Sequence, residues 1–319
     1  MSSFPVTADT EERGAAYLIG VLGPQQSEAE VDAHLDELAS LADTAGFRVC
    51  GRCVLPVRRI QAGTYIGRGQ AEDVAVMARG LGATIAVFDE PLSPAQARNL
   101  EQRFDLPVVD RPGLIIDIFA LRARSREART QVEIAQLEYL LPRLAGRWSH
   151  LSRQVGGGPG GTKGEGEKQI ELDRRMIRRR SDRLRRELAR LQRGRSVRRG
   201  SRRGVPQAAL VGYTNVGKSS LFNRLCDAGV QVEDRLFATL DATTRRLELQ
   251  GRGALLLKDT VGFIRKLPHD LVAAFRSTFE EAGEADLLVV VLDASSPDIE
   301  GQQQVVESVL EETGVDGQE

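Results

Sequence analysis

The residues Gly212–Ser219, "GYTNVGKS", follow the apolar run "AALV" and precede the helix-like "SLFNRL". Few folds accept a G-x-x-x-x-G-K-S bend between a strand and a helix, because it sets a glycine-rich turn against a helix N-terminus. Backbone N–H groups in such a turn surround anionic oxygens, and the helix dipole favours negative charge there. Lys218 is placed to reach β- and γ-phosphates, and Ser219 to ligate Mg2+. Gly212, Tyr213, Thr214, Asn215, Val216, Gly217, Lys218, Ser219 and Ser220 are therefore candidate nucleotide contacts.

Two further elements follow in the order a phosphate-sensing domain requires. The strand-like "ALLLKD" ends in Asp259, followed by Thr260, Val261 and Gly262. Asp259 is a candidate for the Mg2+ shell, and Gly262 for an N–H donor to a γ-phosphate. Between the two elements lies "RLFATLDATTR", where Phe237, Ala238, Thr239, Leu240 and Asp241 are candidate contacts. Thr239 is a candidate to complete the metal shell when a γ-phosphate is present, and a loop that orders only with triphosphate is a switch. The candidate metal ligands are thus Ser219, Thr239 and Asp259, and the candidate catalytic residues are Lys218, Thr239 and Gly262.

The middle of the chain has another character. Residues 111–204 hold 25 basic and 10 acidic residues, a surplus of +15, although the whole chain has a net charge of −1. Such a surplus suits a polyanionic partner. Ile134, Leu137, Leu141, Leu144, Trp148 and Leu151 form a heptad-like seam, as do Ile170, Ile177, Leu184, Leu188 and Leu191. Two singly striped helices joined by a loop predict an antiparallel hairpin, kinked at Pro142. Seven glycines within Gly156–Gly166 form its expected tip. Gly156, Gly158 and Gly161 match G-x-G-x-x-G, but they follow a helix, whereas a dinucleotide fingerprint follows a strand. Lys163, Lys168, Arg174, Arg175, Arg178 and Arg179 are candidate RNA contacts. With few aromatic residues nearby, RNA shape and backbone are the expected targets.

The first hundred residues alternate strand-like runs (Tyr17–Leu22, Phe47–Leu55, Ala83–Asp89, Leu106–Asp110) with helix-like ones, which predicts a parallel sheet. "GTYIGRGQ" (Gly63–Gln70) lacks a G-K-[ST] ending and reads as a turn. Cys50 and Cys53 lie three apart in a strand, so their thiols are expected on opposite faces as small structural residues. The N-terminus has no secretory pattern and no apolar run is long enough to span a bilayer. A cytoplasmic protein is expected, with peripheral membrane association left open.

These motifs together resemble the HflX-type ribosome-associated GTPases, within the TRAFAC class of P-loop GTPases. The likeness rests on "TYIGRGQ", "GGGPGGTKGEGEKQIELDRR", "GYTNVGKSS", "FATLDATTR" and "DTVGFI". It implies GTP binding and hydrolysis, association with the large ribosomal subunit, and a part in splitting or rescuing ribosomes. It also implies a hairpin tip that probes ribosomal RNA. Asn215 occupies the place where some relatives use a side-chain oxygen to hold K+; a hydrogen bond that only shapes the loop is the alternative. Phe263 stands where many regulatory GTPases carry a water-orienting glutamine, as the family shares. No N-K-x-D guanine-reading motif follows "LLVVVLDASSPD" before Glu319. Guanine specificity thus comes from the resemblance alone, and weak binding with poor discrimination against ATP is expected.

The expected architecture is α/β in three parts: an N-terminal parallel α/β domain (1–110), a basic antiparallel helical hairpin (111–204) and an incomplete P-loop GTPase domain (205–319). A monomer that takes Mg2+, GTP and the large subunit with its rRNA is expected. The alternative is an RNA- or ribosome-binding module whose nucleotide domain hydrolyses nothing; an ATP-driven RNA remodeller is a weaker third reading.

Overall fold

A computed structural model describes residues 13–154, 163–199, 205–227, 235–249, 253–267, 283 and 285–314. The chain divides into two compact units, Met1–Ile115 and Ile116–Glu319.

The first unit alternates β1 (Ala15–Leu22), α1 (Glu28–Thr44), β2 (Arg48–Pro56), α2 (Arg68–Gly80), β3 (Ile85–Phe88), α3 (Pro94–Phe104) and β4 (Val108–Asp110). All neighbours in its sheet, ordered β2-β1-β3-β4, are parallel, as the alternation predicts. Ser27 and Ser93 each close a capping box, with Glu30 and Gln96 as the reciprocal partners. Tyr17, Ile19 and Phe88 from the sheet pack with Val74, Leu100 and Phe104 from the helices into one core. The "GTYIGRGQ" stretch is a turn, with Tyr65 at φ +66° and Gly67 at the N-cap of α2.

One expectation fails here. Ala16 pairs with Val49 and Tyr17 with Gly51, so β2 bulges at Cys50. The extra residue shifts the alternation of faces. Cys50 and Cys53 therefore both pack against the same core cluster, and all three cysteines are free thiols.

Helix α4 (Arg111–Arg122) carries the division between the units. The second unit continues with α5 (Arg126–Gln154) and α6 (Lys163–Arg199). Arg126 near the start of α5 meets Glu187 late in α6, and Glu133 meets Arg180, so the helices run antiparallel. Ile134 and Leu184 from the two predicted seams are buried. Helix α5 continues through Pro142. The glycine tip is shorter than expected: α6 begins at Lys163 and takes in Gly164 and Gly166, while 155–162 lie outside the described residues.

The rest of this unit comprises β5 (Gln207–Gly212), α7 (Lys218–Cys226), β6 (Thr243–Leu249), β7 (Gly253–Asp259), β8 (Leu287–Val291) and α8 (Ile299–Glu312). Its sheet is ordered β6-β7-β5-β8, with β6 antiparallel to β7 and the other pairs parallel. The central β5 thus delivers the P-loop at its C-terminal end, and neighbouring β7 delivers Asp259 beside it. No helix among the described residues is long and apolar enough to cross a membrane.

Candidate functional site

Gly212 ends β5 at φ +154°, and a Cβ there would meet the Val291 carbonyl oxygen at 2.3 Å. Only glycine lets β5 turn while keeping β8 this close. The chain then bends through Asn215 at φ +61° and Gly217 at φ +91° into α7. Lys218 is buried, and its Nζ donates to the carbonyls of Gly212 (3.1 Å) and Tyr213 (2.7 Å). Burial lowers its pKa to about 8, while the Asp259 carboxylate pulls the other way.

The segment after β7 is zipped to this loop. Phe263 N–H donates to the Gly212 carbonyl (3.1 Å), and Thr214 N–H donates to the Phe263 carbonyl (2.7 Å). The Phe263 ring is buried, and Arg265 N–H donates to the Tyr213 hydroxyl at 2.9 Å. Thr260 donates its hydroxyl to the Leu210 carbonyl at 2.6 Å. A Cβ on Gly262 would lie 2.5 Å from Thr214 Cα and 3.0 Å from Lys218 Nζ, so this approach also requires glycine.

Three candidate metal ligands converge beside Lys218. Ser219 Oγ donates to Asp259 Oδ2 at 2.6 Å and lies 2.8 Å from Thr239 Oγ1, which donates to the same oxygen at 3.1 Å. Asp259 is fully buried, and its Oδ1 is a buried acceptor with no hydrogen-bond partner among the described residues. Desolvation raises its pKa above the ordinary carboxylate value, against the opposing pull of Ser219, Lys218 and Thr239. Two hydroxyls and a carboxylate form an all-oxygen set, and an orphaned anionic oxygen beside them fits a hard divalent cation.

A pocket is lined by Thr214, Asn215, Gly217, Lys218, Ser219, Ser220, Phe237, Ala238, Thr239, Thr260 and Gly262. Gly212, Tyr213, Val216, Leu240, Asp241, Asp259 and Val261 do not line it. Of these, Gly212, Tyr213, Leu240, Asp259 and Val261 are buried. Asp241, expected as a nucleotide contact, instead accepts hydrogen bonds from the N–H groups of Arg124 (3.0 Å) and Ser125 (2.9 Å) and from the Ser125 hydroxyl. The sequence reading also missed Arg235, which lines the pocket four residues before Thr239. The sequence signal for it is a cation four residues before Thr239, a candidate γ-phosphate contact.

The candidate RNA residues belong to α6, apart from this pocket. Arg175, Arg178 and Arg179 are exposed and Arg174 is half-buried. Lys163 and Lys168 fall on the same helix, but their side chains lie outside the described part.

Known proteins share these features along the chain. The family profile "GTP-binding GTPase N-terminal" matches residues 32–120, "GTP-binding GTPase Middle Region" 122–202, and "50S ribosome-binding GTPase" 207–317. The GTPase HflX of Lacrimispora saccharolytica is 50% identical over 290 residues, spanning 90% of this chain and 68% of that protein. Its counterpart in Magnetococcus marinus is 47% identical over 302 residues, spanning 94% and 70%. Among solved structures, the SsGBP–GDP complex aligns with a TM-score of 0.51 at 25% identity, across 96% of this chain and 80% of that one. Such identity runs through the hairpin as well as the P-loop and bears out the resemblance read from the motifs: this chain belongs to the HflX family of GTPases.

Proposed function

We propose that this chain is a GTP-driven switch that binds GTP with Mg2+, hydrolyses it to GDP and phosphate, and engages the large ribosomal subunit through its basic hairpin. The observation that carries the reading is the meeting of Ser219, Thr239 and Asp259 beside a buried Lys218 at the mouth of the P-loop. Phosphoryl transfer demands positioning and charge stabilisation more than covalent chemistry, and these residues supply both. Lys218 exchanges its two carbonyl partners for phosphate oxygens, while loop N–H groups cradle the rest. Ser219, Thr239 and Asp259 would hold Mg2+, which when bound neutralises charge on the β- and γ-phosphate oxygens. Gly262, against Lys218 Nζ, directs its N–H to the γ-phosphate. Asn215 is a candidate to hold K+ beside the phosphates, and equal rates in K+ and Na+ buffers would remove that role.

The Phe263 ring cannot hydrogen-bond an attacking water, so hydrolysis is slow unaided and rises when a bound particle completes the site. The parts proposed are a sheet domain (1–110), an RNA-reading hairpin (111–204) and the nucleotide domain (205–319), in a cytoplasmic monomer that splits or rescues ribosomes. GTP turnover with and without purified large subunits tests this, with Lys218→Ala as the inactive control. Turnover retained in Lys218→Ala would overturn the site. Subunit binding without any turnover would leave an RNA-binding module in place of an enzyme.

A further inference from the structure

The loop that carries Thr239 is held from two sides. On the nucleotide side, Phe237 N–H donates to Thr214 Oγ1 at 3.0 Å, and Thr239 joins Ser219 and Asp259. On the other side the loop is fixed to the root of the helical hairpin. Ser125 is the residue before α5, and its hydroxyl accepts from Ala128 N–H at 3.0 Å, as an N-cap does. Asp241 extends that cap, taking the N–H groups of Arg124 and Ser125 on Oδ2 and the Ser125 hydroxyl on Oδ1. A carboxylate at this point also faces the positive end of the α5 dipole.

A second anchor lies two residues before Thr239. Phe237 is buried at φ +54°, a conformation bulky residues rarely adopt unless the surroundings impose it. Its ring meets Phe119 of α4 edge-on, with centroids 4.8 Å apart and planes at 86°. The positions two before and two after Thr239 are thus both fastened to residues 119–125, the segment that leads into the hairpin.

We infer that Asp241 and Ser125 are positioning residues for hydrolysis: by capping α5 together, they make the hairpin root the mechanical support of Thr239. Displacement of the hairpin by a partner then moves Thr239 relative to Ser219 and Asp259. By linkage, occupation of the site by a γ-phosphate biases the hairpin in return. The inference rests on the proposed role of Thr239, and on no contact from Asp241 to nucleotide.

Asp241→Ala and Asp241→Asn in the full chain test it, with Ser125→Ala and Ser125→Thr as the reciprocal pair. Asp241→Ala is expected to lower kcat about tenfold, within the range for coupled sites, while KM for GTP and the affinity for GDP stay within about twofold. GDP lacks the γ-phosphate that Thr239 answers, so its binding reports the pocket without the switch. Asp241→Asn, whose amide oxygen still accepts main-chain N–H bonds, and Ser125→Thr, which keeps the hydroxyl, should restore most of the rate. Ser125→Ala should lose it. Amide hydrogen exchange adds a readout independent of turnover: residues 237–241 should exchange about tenfold faster in Asp241→Ala, with β5 unchanged. Unchanged exchange in that loop, or a wild-type rate in Asp241→Ala, overturns the inference. Parallel loss of kcat and GDP affinity also overturns it, since that marks a general structural role. Absence of turnover in the wild type would count against the proposed function, and the exchange measurement would still decide this point.

Discussion

Gly262 has no room for even one carbon. A methyl at its Cβ position would stand 2.5 Å from the backbone of Thr214 and 3.0 Å from Lys218 Nζ, and the next residue is bonded to the P-loop through both its N–H and its carbonyl. The segment cannot step aside without breaking those bonds. Gly262→Ala is therefore expected to lower single-turnover GTP hydrolysis about hundredfold, the cost of displacing catalytic groups by about 1 Å. Apo stability should fall by only about 1–3 kcal/mol, as for overpacking generally. A rate within threefold of wild type would show that the N–H of this residue takes no part. At the other end of the reactivity scale is Cys53, whose thiol is pushed up to about 11, chiefly by burial. Its thiolate fraction at pH 8 is about a hundredfold below that of an ordinary cysteine, so alkylation there should be slow in the folded protein and fast in denaturant. The sign of the linked stability follows: a folded pKa above the unfolded value stabilises fully below pH 9, and the contribution is lost as pH rises through 11. Cys53→Ala should flatten denaturation midpoints across that window.

Elements show where local sequence suffices and where it fails. Ser27 and Ser93 begin their helices because the reciprocal Glu30 and Gln96 lie three residues on, a signal contained in four letters. The P-loop turn was legible for the same reason, since strand, glycines, lysine and helix are contiguous. The bulge at Cys50 was not, because register depends on β1, more than thirty residues away in sequence. Nor was the partner of Asp241, which lies 116 residues upstream at a cap with no capping-box signature. Heptads mark both hairpin helices, whereas composition alone puts Gly164 and Gly166 in the tip although α6 includes them. The start of α4 has a similarly hidden support. Arg111 is fully buried and pairs with Asp89 at 2.7 Å and with Glu37, tying α4 to the end of β3 and to α1. Removing one partner of a buried pair leaves the other charge uncompensated. Arg111→Met should accordingly destabilise the first unit by about 3–5 kcal/mol, read from urea unfolding, and adding Asp89→Asn should recover part of the loss. A loss below 1 kcal/mol would mean that water reaches the pair.

Across the whole molecule, the charge that sums to −1 is sorted along the chain, with +15 in residues 111–204 and −16 elsewhere. The arginines of the hairpin divide into two kinds. Arg126, Arg180 and Arg185 reach across to Glu187, Glu133 and Glu138 and hold α5 to α6. Arg175, Arg178 and Arg179 are exposed and form no ion pair among the described residues. A phosphate backbone recruits cations of the second kind, because each contact releases a condensed counterion without breaking a protein pair. Cations of the first kind would have to exchange a carboxylate for a phosphate, with little net release. Replacing Arg175, Arg178 and Arg179 together by Gln should weaken the proposed large-subunit binding and reduce its logarithmic salt slope by about one per arginine. Arg126→Gln with Arg185→Gln should change that slope by less than about one in total, while loosening the hairpin as judged by hydrogen exchange along α5. Binding measured between 50 and 200 mM salt, roughly the range in which counterion release dominates, separates the outcomes. Equal slopes for the two sets, or a slope unaffected by the exposed set, would overturn the proposed role of these arginines in RNA binding.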